Sequence, residues 1–150
     1  MNELRDLYQE VIIDHNRKPR NFRKPTGPCQ TAHGHNRLCG DKLTIYAELE
    51  RDAIRELSFQ GSGCAISTAS ASMLTDALRG RSRADVAALF EIFQRMLRGE
   101  SLSADESTRL GKLASFSGVG EFPARVKCAT LAWHTVLAAL DNKEDPVSTE

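Results

Sequence analysis

The sequence predicts an α+β fold, a three-stranded antiparallel β-sheet packed against helices in one compact domain spanning residues 1–150. Three observations predict it. Apolar and polar residues alternate between residues 30 and 61. On either side of that stretch the apolar residues recur at helical spacing instead. Short turns join the alternating segments, which suits an antiparallel meander rather than crossover connections.

In chain order, Leu4, Leu7, Tyr8, Val11 and Ile12 share one face of a helix from about Glu3 to His15. Pro19 ends it, and the basic run from Arg17 to Pro25 reads as a solvated loop, with a docking surface for an acidic partner as the sharper alternative. Gln30 to Asn36 forms an edge strand. Leu43, Ile45, Ala47 and Leu49 alternate with Thr44, Tyr46 and Glu48 in a second strand, Arg51-Asp52 turns the chain, and Leu57 and Phe59 mark a third. From Cys64 to Arg79 an Ala- and Ser-rich helix closes at Gly80. Ser82 with Asp85 caps a helix whose stripe is Val86, Leu89, Phe90, Phe93 and Leu97, and Ser103 with Glu106 caps a short one carrying Leu110 and Leu113. Ser117 to Gly120 reads as a flexible connector. Pro123 suits the first turn of a last helix with Val126, Trp133, Leu137 and Leu140 inside. The polar tail, residues 141–150, is expected to fray.

Composition narrows the function. Twenty Lys and Arg balance twenty Asp and Glu, so no net field favours nucleic acid. The N-terminus, Met1 to Asp6, carries mixed charge without a following apolar region, and no apolar stretch is long enough to span a bilayer. A cytoplasmic location is the expectation. Thiols there stay reduced, so the four cysteines suit metal or sulfur chemistry, or simple burial, better than disulfides.

Three of those cysteines sit in suggestive contexts. Cys39-Gly40-Asp41 falls in a turn between strands, where glycine lets a thiolate and a carboxylate face one centre. Cys64 ends Gly61-Ser62-Gly63 and enters a helix, whose positive end favours a thiolate. Cys128 follows Arg125 and Lys127 near the start of the last helix. Each placement encourages deprotonation. Three sulfurs and one oxygen suit zinc or iron, but spacing alone leaves a metal site and a set of buried thiols both open. Cys29 lies apart and reads as a spare thiol. His33 and His35 share a strand face with no third ligand nearby. His15 and His134 read as helix histidines with satisfied partners, and Trp133 as core.

Cys39-Gly40-Asp41, the run Gly61 to Ser67 and Arg125-Val126-Lys127-Cys128 resemble, in order, the three signature segments of the IscU/NifU N-terminal superfamily, and Leu7 to His15 resembles its first helix. Lys127 stands where the scaffold branch has His, and the stretch between Cys64 and Cys128 is longer. Both features, with Phe122-Pro123-Ala124-Arg125 in place of a Pro-rich chaperone segment, resemble the SufU branch. That resemblance implies Zn²⁺ held by Cys39, Asp41, Cys64 and Cys128. It implies a sulfurtransferase-like carrier that takes persulfide sulfur onto Cys39 from a SufS-type, pyridoxal-phosphate cysteine desulfurase and passes it to downstream SUF assembly proteins. In that branch a partner histidine displaces the cysteine matching Cys39. Arg125 is expected to guide the partner or steady a thiolate. The alternative is a scaffold holding a transient 2Fe–2S cluster on the same residues.

Overall fold

The alternating segments form hairpins, as their periodicity requires. In the computed structural model, which describes residues 3–149, β1 (Gln30–Asn36), β2 (Asp41–Glu50) and β3 (Ala53–Ser62) pair antiparallel in chain order. Ala32, Leu43, Ile45, Ala47, Leu57 and Phe59 are buried on the helix-covered face. A bulge between Glu48 and Leu49 shifts the register, and Leu49, expected inside, is exposed.

The sheet has a fourth strand beyond the three that alternation predicts. β4 (Val147–Ser148) pairs parallel to β1, opposite Gly34 and His35. The tail expected to fray is therefore tied down over its described part. The Lys143 N–H donates to the Ala138 carbonyl at 2.9 Å, the Thr149 N–H to the His35 carbonyl at 3.4 Å, and the Thr149 hydroxyl to the Lys127 carbonyl at 3.2 Å. Val147 supplies the apolar contact, packing against the core. Glu150 lies outside the described residues.

The helices are α1 (Glu3–Arg17), α2 (Ala65–Ala77), α3 (Arg83–Leu97), α4 (Ala104–Leu110) and α5 (Pro123–Leu140), with a 3₁₀ run at Gly111–Glu121. α5 lies on β1 and β2, and α2 lies beside it on β3. Small residues let these two helices approach, and the Ser70 hydroxyl donates to the Ala129 carbonyl at 2.7 Å. α1 covers α2 and the 3₁₀ run, while α3 packs on that run and on α5. Both capping boxes, at Ser82/Asp85 and Ser103/Glu106, are formed. Trp133 is fully buried and stacked on Phe90 at 5.0 Å between ring centroids.

Three local expectations are corrected. The helix meant to carry Leu110 and Leu113 stops at Leu110, because Gly111 takes a positive φ of 54°. The stretch Ser117–Gly120 is not a loose connector but part of the 3₁₀ run. It packs so closely on α3 that a Cβ at Gly120 would stand 2.0 Å from the Leu97 carbonyl oxygen. On α1, Leu7 is exposed while Val11 and Ile12 reach the core, and the side chain of Leu4 lies outside the described residues. The basic loop is also anchored. The Arg20 N–H donates to Ser72 Oγ at 2.8 Å, Asn21 Nδ2 donates to Thr75 Oγ1 at 2.9 Å, and Phe22 meets Phe59 edge-on.

Two histidines are held in the helical layer. His15 is buried with Nδ1 2.7 Å from Ser72 Oγ, and His134 stands edge-on to Phe90. Burial lowers the pKa of both. Unfolded histidines titrate near 6.5 and so take up protons before the folded ones do. Stability is then full above that value and falls as pH drops through it towards the lower folded values. Urea melts at stepped pH should show this decline, and His15→Asn should remove part of it. An unchanged pH slope in the variant would overturn the assignment.

Candidate metal centre

The site begins with a close approach of backbone to helix. A Cβ at Gly34 would stand 2.2 Å from Thr135 Oγ1 and 3.1 Å from Leu131 Cδ1, so only glycine lets β1 press on α5 there. Two residues on, the same strand face presents Asn36, fully buried. One turn back along α5 from Leu131 stands Cys128, also fully buried. The two meet, and Asn36 Nδ2 donates to Cys128 Sγ at 3.6 Å.

Asn36 also shapes the turn after β1. Its Oδ1 accepts the Leu38 N–H at 3.2 Å, and the Gly40 N–H donates to the Arg37 carbonyl at 3.3 Å. Gly40 closes this turn at φ 72°, a left-handed conformation that glycine adopts without strain. The turn carries Cys39, partly exposed, to within 3.0 Å of Cys128 Sγ. Asp41 opens β2 opposite Asn36 in the register and is buried. Its Oδ1 accepts the Cys64 N–H at 2.8 Å. Gly63 makes the room, since a Cβ there would stand 2.5 Å from that same oxygen.

The structure thus gathers the predicted ligands, though not all equally. One donor atom from each of Cys39, Asp41 and Cys128 lies within 4.8 Å of the others. Cys64 Sγ is 4.0 Å from Asp41 Oδ2 but outside that mutual set. Cys64 is the N-cap of α2 rather than a residue of its first turn, and its sulfur accepts the Ser67 N–H at 3.4 Å. The Cys39 and Cys128 sulfurs, 3.0 Å apart, are close enough to share one ion after small shifts, whereas Cys64 would have to turn its sulfur towards them. Three thiols and one carboxylate also fit the chemistry of zinc or iron.

The electrostatics correct one expectation. Arg125 and Lys127 suggest an easily formed thiolate at Cys128, yet burial pushes its thiol far up. The hydrogen bonds with Cys39 and Asp41 and the charge of Cys64 act in the same direction. A metal ion would reverse that balance by taking the thiolate directly. Arg125 is exposed but faces the sulfurs. Its guanidinium is held further protonated by the charge of Cys64 first, then by a hydrogen bond to Cys128 and the charge of Cys39.

Other candidates stay apart from the centre. Cys29 is partly buried with Sγ 3.7 Å from Thr31 Oγ1. His33 is exposed with Nδ1 3.0 Å from Thr44 Oγ1, on the sheet face opposite the helices. His35, partly buried, belongs to the same strand and to no donor cluster among the described residues. Sequence reasoning missed Gly34 and Asn36 as parts of the site, and it read Gly63 as a bend before Cys64 without its close approach to Asp41. Asn36 could have been suspected from its position just before the Cys39 turn. A groove of about 750 Å³ runs from Cys64 and Arg125 between α1 and the 3₁₀ run, walled by Tyr8, Ile12, Ile66 and Phe122.

The comparisons with known proteins agree on one family, whose relatives are named for two different roles. Residues 7–141 match the family described as NifU-like N terminal domain. The chain is 36% identical over 140 residues to the iron–sulfur cluster assembly scaffold protein IscU of Streptococcus pyogenes serotype M1, covering 93% of this chain and 86% of that protein. It is also 36% identical over 138 residues to the zinc-dependent sulfurtransferase SufU of Bacillus subtilis strain 168, covering 92% of each. A candidate cluster assembly scaffold protein for the SUF system from Fervidobacterium islandicum AW-1 superposes with a TM-score of 0.80 at 30% identity, over 87% of this chain and 94% of that one.

Gly63→Ala tests the packing of the carboxylate directly. The new methyl would stand 2.5 Å from Asp41 Oδ1 and force the carboxylate off its seat. Zinc affinity by chelator competition should fall about tenfold or more, with the fold retained by circular dichroism. Affinity equal to the parent protein would refute the role given to Asp41.

Proposed function

The chain belongs to the NifU-like N-terminal domain family, and we propose that it is a zinc-dependent sulfur acceptor that receives persulfide sulfur on Cys39 from a cysteine desulfurase. The observation that carries this reading is the unequal footing of the thiols. Cys39 rides a glycine-hinged, partly exposed turn, whereas Cys128 is fully buried and braced by Asn36. A site built only to hold metal has no need of one exposed ligand on a turn.

Cys39, Asp41, Cys64 and Cys128 would hold the zinc, Cys64 turning its sulfur from the Ser67 N–H towards the others. Bound zinc keeps thiolates deprotonated without redox chemistry of its own. The Cys39 thiolate attacks the outer sulfur of the partner's persulfide. One S–S bond forms at Cys39 as the partner's S–S bond breaks, and the partner's cysteine leaves as a thiolate that takes up a proton. Arg125 supplies positive charge beside the sulfurs during the exchange. Two such half-reactions imply ping-pong kinetics. The partner is a SufS-type, pyridoxal-phosphate enzyme and the recipients are downstream SUF proteins. The same identity to the scaffold protein from S. pyogenes supports a second reading, a transient 2Fe–2S cluster on these residues.

With a matched desulfurase, Cys39→Ser should reduce stimulated alanine release to the rate of the desulfurase alone. Undiminished stimulation would sink the acceptor role of Cys39. Metal analysis of the isolated protein separates the two readings, one zinc per chain favouring the acceptor and a visible-absorbing cluster the scaffold.

A further inference from the structure

We propose that Asn36 is a positioning residue that sorts the two neighbouring thiolates, keeping Cys128 on the metal and presenting Cys39 as the ligand free to leave. The inference rests on the zinc reading above and adds the residue that makes its ligands unequal. One buried amide serves both thiols. Its oxygen accepts the Leu38 N–H and so fixes the turn one residue before Cys39. Its nitrogen donates to Cys128 Sγ. The orientation of the amide follows from chemistry, since a backbone N–H can face only the oxygen and the NH₂ must then face the sulfur.

The consequence differs between the thiols. An N–H donor aimed at a thiolate draws off charge and holds the sulfur in place, as the groups behind metal ligands generally do. That donor is given to Cys128, while Cys39 meets the amide only through the turn and lies 3.0 Å from the Cys128 sulfur. Cys128 is also enclosed, with the Ala124 carbonyl 3.7 Å from its sulfur. Cys39 has solvent on one side. The amide therefore sits where it can steady one sulfur and aim the other.

Asn36→Asp separates the two functions of the amide. It keeps an oxygen for the Leu38 N–H but turns a second oxygen, without a donor, on Cys128. Asn36→Ala removes both contacts. Zinc-loaded parent and variant proteins are compared without any desulfurase. Both variants should lose zinc to a chelator about ten- to a hundredfold more readily. Iodoacetamide should label Cys39 ahead of Cys128 in the parent protein and lose that order in the variants. In the Co²⁺ form of Asn36→Ala, the sulfur-to-metal charge-transfer band should move to longer wavelength. Unchanged zinc retention, labelling order and band position overturn the proposal. So does loss of the metal-free fold in both variants by circular dichroism, which would assign Asn36 to the fold alone. A parent protein that takes up no zinc overturns the metal reading itself, and it is told apart because the parent rather than the variant fails.

Discussion

The absence of a side chain at Gly34 brings β1 onto α5, and the centre depends on that contact. With β1 seated, Asn36 falls against Cys128, the turn beyond it delivers Cys39, and the register places Asp41 opposite Asn36. The other wall obeys a second close approach. Gly63 leaves space for the Asp41 carboxylate, which caps Cys64 through its backbone N–H. Strand pairing and helix packing thus set the positions of the candidate ligands. Interiors are close-packed and do not deform smoothly, so ångström-scale placement of the sulfurs is inherited from backbone contacts some way from them.

The centre holds opposed electrostatic demands. Burial makes the Cys128 thiolate costly, while Arg125 lends positive charge from the exposed rim. A cation among the donors would offset that cost. Cys39, by contrast, is partly exposed to solvent. Two cysteines 3.0 Å apart therefore live in different dielectric surroundings.

Much of this was legible in the sequence. Alternation located three strands, and both capping boxes formed where Ser82 and Ser103 indicated. The turns that carry the candidate ligands were readable because Cys39-Gly40-Asp41 and Gly61 to Cys64 carry glycine where the backbone must bend. The illegible parts depend on packing. Strand β4 has two residues and one apolar contact, at Val147, too little for any periodicity. Leu7 fits the helical stripe, but a stripe does not say how far its cover extends. Arg125 and Lys127 suggested a low thiol pKa at Cys128, whereas burial, which flanking residues do not reveal, acts the other way. Asn36 looked like the polar end of a strand, and its role emerges only when α5 is brought beside it.

The short strap at Thr149 grips both sides of the same seam. Its N–H holds β1 at His35, and its hydroxyl holds α5 at Lys127, one residue before Cys128. The tail is thus a mechanical clasp over the strand and helix that space the thiols. A change of backbone or side chain at Thr149 would therefore reach the candidate centre from both sides at once.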